Sequence, residues 1–279
     1  MKPAKGAPKA GRILLTGAAG GIGTVLRKRL KGLYRELRLS DIAEPKGLGG
    51  DEKFVRADLA DMAAVEKAVK GVDGIIHLGG VSIEKPWEMI HQANIVGCYN
   101  LFEAARKHGV KRVVFASSNH AMGFYRRNRR VGTEALVRPD SRYGVSKAFG
   151  EALAALYADK YGLRVLCIRI GNLADKPADM RRMSIWISPD DLVQLIRIGL
   201  EHPSLAYEVV YGASDNARSW WDNAAAFRLG YRPTGRSEDH LAHAREGQAK
   251  LPRDPIGEIF QGGPFCSDEF AGDPETRGA

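Results

Sequence analysis

Short apolar runs alternate with stretches of helical periodicity from residue 12 to residue 171. RILLT (12–16) is an apolar run halted by glycines, and GIGTVLRKRL (21–30) then reads as a helix. LRLSD (37–41) and FVRAD (54–58) predict two further strands, followed by a helix over MAAVEKAVKG (62–71). GIIHLGG (74–80) is a fourth strand, and a long helix follows over 87–108, closed by Gly109. RVVFASS (112–118) is a fifth strand, YGVSKAFGEALAALYADKYG (143–162) a helix closed by Gly162, and RVLCIRIG (164–171) a sixth strand.

Strands apolar on both faces, alternating with helices, predict a parallel sheet covered on each side: an α/β, Rossmann-type doubly wound fold. Beyond 171 the pattern loosens to one helix over 190–201 and one strand over YEVVYG (207–212), and past 231 the chain is rich in charge, Pro and Gly. The expected organisation is a disordered basic tail over 1–10 and a dinucleotide-binding domain over 11–175. A small substrate-binding extension with a C-terminal tail, over 176–279, would pack on that same domain.

The first strand runs into TGAAGGIG, with Gly17, Gly20 and Gly23 spaced as G-x-x-G-x-x-G. Such a turn between strand and helix lets the backbone approach a pyrophosphate and aims free helix N–H groups at it. Asp41 lies 18 residues after Gly23, where an acid accepts ribose hydroxyls and repels a 2′-phosphate, which selects NAD over NADP. A turn cap is the structural alternative for Asp41. Asp58 reads either as an adenine contact or as the N-cap of the next helix.

Composition narrows the classes. With 44% hydrophobic and 27% charged residues the chain is an ordinary globular sequence, and no apolar run is long enough to span a membrane. Cys98, Cys167 and Cys266 are odd in number and far apart, which argues against a disulfide framework or a CxxC metal site and for the cytoplasm. HLAH (His240, His243) has too few companions for a metal, so none is expected. Part of the +9 net charge sits in Arg126, Arg127, Arg129 and Arg130. That loop reads as solvated rather than as a specific nucleic-acid site. Ser219 reads as the N-cap of a helix that begins with core residues Trp220 and Trp221.

Tyr143 and Lys147 are four apart, on one face of the helix after the fifth strand, where a nearby ammonium can stabilise a phenolate. Ser118 ends that strand at the carboxyl edge of the sheet, where ligands bind in open α/β folds. TGAAGGIG, HLGG, NIVGCYN, FASS and YGVSK, in this order, resemble the extended short-chain dehydrogenase/reductase family. The resemblance implies Tyr143 as acid/base, Lys147 beside it holding the nicotinamide ribose, and Ser118 on the reacting oxygen. It implies NAD contacts at Gly17, Gly20, Gly21, Ile22, Gly23, Asp41, Asp58, Leu59, Leu78, Gly79, Gly80, Asn94, Tyr143, Lys147 and Ile170. Homo-oligomerisation through the helices near 87–108 and 143–161 is implied as well.

HLGGVSIEKPWE, FASSNHAMGFY, RPDSRYGVSK, MSIWISPDDLV, SWWDN and FQGGPF are similar to the uronate dehydrogenases within that family. The similarity implies NAD-dependent oxidation of D-glucuronate or D-galacturonate at C1 to an aldarolactone. It implies sugar-acid contacts from Ser82, Ser118, Asn119, His120, Tyr143, Asn172 and Arg181. Arg181 is preferred to Arg182 on register, and an arginine fork suits a carboxylate. Asn172 stands where a serine is expected, and the Arg-rich loop departs in charge. The competing expectations are a nucleotide-sugar epimerase or dehydratase, which needs a larger C-terminal domain, and a non-catalytic NAD-sensing or RNA-binding module.

Overall fold

The central strand β1 (Ala10–Thr16) pairs in parallel with β2 (Tyr34–Asp41) on one side and with β4 (Gly74–His77) on the other. This computed structural model describes residues 10–50 and 52–275. Apart from Ala10, the expected basic tail lies outside the described residues. With β3 (Glu52–Arg56), β5 (Arg112–Ser118), β6 (Arg164–Ile170) and β9 (Tyr207–Gly212), the strands form one parallel sheet in the order β3-β2-β1-β4-β5-β6-β9. A second, two-stranded sheet joins β7 (Asn172–Leu173) to β8 (Trp186–Ile187).

Alternation along β1 explains why both faces need cover. Ile13 and Leu15 enter one core with Leu26 and Leu30 of α1 (Gly21–Leu30) and Leu192 and Leu195 of α7 (Pro189–Glu201). Leu14 enters the opposite core, with Val65 of α2 (Met62–Val69), Phe102 of α4 (Gly97–Lys107) and Ala154 of α5 (Arg142–Tyr161). The helix expected over 87–108 is broken in type: α3 (Trp87–Ile90) leads into a π-helical stretch, His91–Val96, before α4. That widened turn carries Asn94.

Three features place α5. The Ser141 hydroxyl accepts from Gly144 N–H at 3.0 Å and caps the helix, while Gly162 at φ 72° ends it. Gly144 lies so close to the turn after β5 that a Cβ there would sit 2.3 Å from the His120 carbonyl oxygen. Tyr143 is thereby pressed against the end of β5.

The C-terminal part is no extended tail. Short helices α6 (Met180–Ile185), α8 (Ala224–Arg228), α9 (Leu241–Gln248) and α10 (Pro264–Ser267) follow, and Phe260, Gln261 and Cys266 are buried. The Arg-rich loop holds this segment. Arg127 donates through Nε to the Phe260 carbonyl at 3.1 Å and through Nη2 to that of Gly257, and Arg126 donates to that of Pro274. Two of its four arginines are therefore anchors, while Arg129 and Arg130 are exposed. Trp221 is buried and stacks on Tyr211 at 4.6 Å, but Ser219 caps no helix: its hydroxyl takes the Trp221 N–H and α8 begins at Ala224.

Candidate active site

Strand order reverses between β1 and β4, and at the carboxyl ends of those strands opens a cleft of about 890 Å³. It is lined at one end by the glycine turn and Asp41 and at the other by Ser118, Asn119, His120, Tyr143 and Lys147. Gly21, Ile22, Asp58, Leu59, Leu78, Gly79, Gly80, Ser82, Ile170 and Asn172 line it between.

The turn has the shape a pyrophosphate requires. Gly17 has φ 68°, and a Cβ on Gly23 would fall 2.2 Å from the Gly17 carbonyl oxygen, so α1 starts tight against the strand exit. Gly20 is the N-cap of α1 and no side chain caps that end, which leaves its first N–H groups facing the cleft. Asp41 Oδ2 accepts from Ala19 N–H at 3.0 Å and Oδ1 from Ala43 N–H at 3.3 Å. The turn-capping and ribose-binding readings of Asp41 are thus compatible in one residue. Asp58 accepts from Ala60 N–H at 2.9 Å, and the N-cap of α2 is Asp61 instead. A dinucleotide fits this set of residues: bare glycine backbone, open helix N–H groups and a carboxylate at the second strand end.

At the other end the chemistry is set by burial. Burial pushes the Tyr143 phenol up to about 12, and the Ser118 hydroxyl, hydrogen bonded to it, pulls the other way. Burial also brings the Lys147 ammonium down to about 8. Its Nζ donates to the Ala116 carbonyl at 2.8 Å and lies 5.5 Å from the Tyr143 ring centroid. Beneath them Glu151 accepts from Ser117 Oγ at 2.5 Å and pairs with Arg169, a buried network that fixes the floor of the site.

Among the buried side-chain atoms without a hydrogen-bond partner are Asn119 Nδ2, in the wall of the cleft, and Arg181 Nη2. Both are donors still able to take a hydrogen bond. Arg181 does not line the cleft but lies just beyond it, its Nε donating to the Gln261 carbonyl at 2.9 Å. Burial, with Arg127 and Arg182 nearby, lowers it to about 10. Asn94 also stands off the cleft. Its amide accepts from Val81 N–H and donates to the Val81 carbonyl and Ser146 Oγ, so it holds the loop that follows β4.

The structure brings in residues that the sequence did not single out. Phe265 stacks on His120 at 3.8 Å, and Glu84 accepts from Tyr143 N–H at 2.9 Å while pairing with Arg142. Thr16 Oγ1 bridges His77 Nδ1 at 2.7 Å and Gly79 N–H at 3.1 Å. Burial keeps His77 neutral, down to about 3. His240 packs on Trp186, and among the described residues no group of His, Cys, Asp or Glu could hold a metal ion. Among them, too, no helix is long and apolar enough to cross a membrane.

A doubly wound sheet with a glycine turn at its switch point, and a Ser/Tyr/Lys cluster at the far end of the same cleft, defines a Rossmann-type dinucleotide enzyme. The chain belongs to the NAD dependent epimerase/dehydratase family, which it matches over residues 13–205. Among similar proteins is the uronate dehydrogenase of Pseudomonas putida, 51% identical over 256 residues that span 91% of this chain and 95% of that protein. Among similar solved structures is glucuronic acid dehydrogenase from Chromohalobacter salexigens, at 48% identity and TM-score 0.89, covering 95% of this chain and 98% of that one. Another is a tyrosine-to-alanine mutant of uronate dehydrogenase from Agrobacterium tumefaciens complexed with NAD, at 47% identity and TM-score 0.87, covering 91% and 96%.

Proposed function

We propose that this chain is an NAD-dependent dehydrogenase that oxidises a hexuronic acid, D-glucuronate or D-galacturonate, at C1 to the aldarolactone. The observation that carries the reading is the likeness to uronate dehydrogenases across nearly the whole chain. The site supports it with a phenol and a hydroxyl for proton transfer and with unpartnered donors on Asn119 and Arg181.

The Gly17–Gly23 turn and the free N–H groups of α1 would hold the pyrophosphate, and Asp41 the adenosine ribose hydroxyls. Bound there, NAD would supply a hydride acceptor and a positive charge. Tyr143 removes the proton of the C1 hydroxyl, and Ser118 hydrogen-bonds the same oxygen. Lys147 would hold the nicotinamide ribose, and its ammonium over the Tyr143 ring would favour the phenolate. Arg181 takes the sugar carboxylate, while Ser82, Asn119, His120 and Asn172 take hydroxyls. Trp87, Met89 and Tyr99 on α3 and α4, with Val145, Leu156 and Tyr161 on α5, expose apolar surface that supports a homo-oligomer through these helices. The three buried free thiols support a cytoplasmic enzyme.

Purified protein with NAD and either uronate should form NADH, while D-glucose should be turned over only weakly and UDP-sugars not at all. NAD binding without turnover of either acid would overturn the substrate assignment.

A further inference from the structure

Asp140, in the loop before α5, has a side chain that is 0% exposed. Its Oδ2 lies 2.7 Å from His120 Nδ1, and its Oδ1 accepts from Ser141 Oγ at 2.8 Å. The main chain joins the same two residues, since Asp140 N–H donates to the His120 carbonyl at 3.2 Å. The carboxylate is walled in: a Cβ on Gly123 or Gly262 would come 1.8 Å or 2.0 Å from Oδ2, and Cys266 Sγ stands 3.9 Å away. His120 is held as firmly. Phe265 stacks on one face, the Tyr143 ring meets it edge-on at 5.9 Å, and its own N–H donates to Ser118 Oγ.

We propose that Asp140 is a positioning residue for the uronate oxidation, fixing Nδ1 as the protonated nitrogen of His120 and so presenting Nε2 to the sugar. The inference rests on the reading of His120 as a substrate contact. An ionised carboxylate only accepts hydrogen bonds, so the ring nitrogen against it must be the donor. The bond made by one imidazole nitrogen sets what the other can do. In the neutral ring Nε2 then carries a lone pair into the cleft, an acceptor for a sugar hydroxyl. Enclosing a carboxylate away from water is costly unless it is paired, and here Oδ2 is paired with the His120 ring nitrogen while Oδ1 takes the Ser141 hydroxyl.

An amide in place of the carboxylate can donate to Nδ1. The Ser141 hydroxyl, which donates to the Oδ1 position, keeps the amide oxygen on its side and turns the amide nitrogen to Nδ1, so the ring proton moves to Nε2 and the acceptor facing the sugar becomes a donor. Asp140→Asn should therefore lower kcat/KM for uronate at least about tenfold, through KM for the acid and not through KM for NAD. In a His120→Ala background the same substitution should change KM for uronate less than about twofold, because the residue it acts through is gone. An equal loss in both backgrounds would overturn the proposal and make Asp140 a fold residue only. Should Asp140→Asn fail to fold, the imidazole ¹⁵N–¹H correlations of the ligand-free wild-type protein decide. A proton on Nδ1 of His120 is expected, and a bare Nδ1 would overturn the proposal. If His120→Ala alone leaves KM for uronate unchanged, it is the substrate reading of His120 that fails, and the ¹⁵N spectrum judges the Asp140 bond separately.

Discussion

Lys147 and Tyr143 share one face of α5 with the ammonium 5.5 Å from the phenol ring centroid, yet the hydrogen bond of Lys147 goes to the Ala116 carbonyl and not to the phenol. The pair interacts through the ring face. Burial disfavours the charged form of both, holding the phenol protonated and loosening the proton on the ammonium. Proton transfer at neutral pH thus depends on charge that arrives with the reactants.

Tyr143→Phe removes the proton acceptor and leaves the ring packing. It should lower kcat about 10³-fold, within the usual range for general acid–base catalysis, with NAD affinity changed less than about threefold. Steady-state rates and titration calorimetry with NAD check both halves.

Lys147 gives a pH signature. Its folded value, about 8, lies below that of an unfolded lysine. Between the two the unfolded chain binds a proton that the native state has released, so stability climbs as pH rises through that window. Below about pH 8 the full cost of burying the ammonium is present. Against Lys147→Met, the wild type should therefore gain up to about 3 kcal/mol between roughly pH 8 and pH 10.5. Urea titrations of both proteins across that range would show it, and parallel curves would contradict it.

The βα alternation was legible because the central strands had to be apolar on both faces, as Leu14 and Leu15 show by entering opposite cores. The glycine turn, Asp41, Ser118, Tyr143 and Lys147 were legible because their spacing is local to one strand end or one helix face. Glu84 and Phe265 were not, since each meets its partner across a wide separation, 59 residues between Glu84 and Tyr143, and Asp140 was not because its bond to His120 is made between two irregular turns that carry no period. The segment beyond 231 read as a tail because short turns and half-helices carry no period. Its burial comes from partners such as Arg127, which reaches the Phe260 carbonyl from 133 residues away. The π-helical stretch over 91–96 keeps helical spacing and leaves no mark in the apolar pattern.

Asp41 sits at the glycine-turn end of the cleft with both oxygens on backbone N–H groups. Asp41→Ala should shift the NADP to NAD ratio of kcat/KM at least about 100-fold toward NADP, since the repelling charge is gone. Initial rates with both cofactors measure it.

Arg181 keeps a buried Nη2 without a partner. Arg181→Met should raise KM for uronate about 100-fold, the loss of one charge-assisted contact to a carboxylate. Weak turnover of the neutral aldose, which has no carboxylate to lose, should be unchanged. A parallel loss with both sugars would show that Arg181 supports the fold through Gln261 instead.

In the proposed reaction a hydride leaves C1 of a uronic acid for NAD under a Tyr143 proton relay. D-galacturonate deuterated at C1 tests it directly, with the NADH formed analysed by mass spectrometry. The NADH formed should carry the deuterium, and the rate should fall with the labelled sugar. Unlabelled NADH, or deuterium found in the solvent, would contradict it.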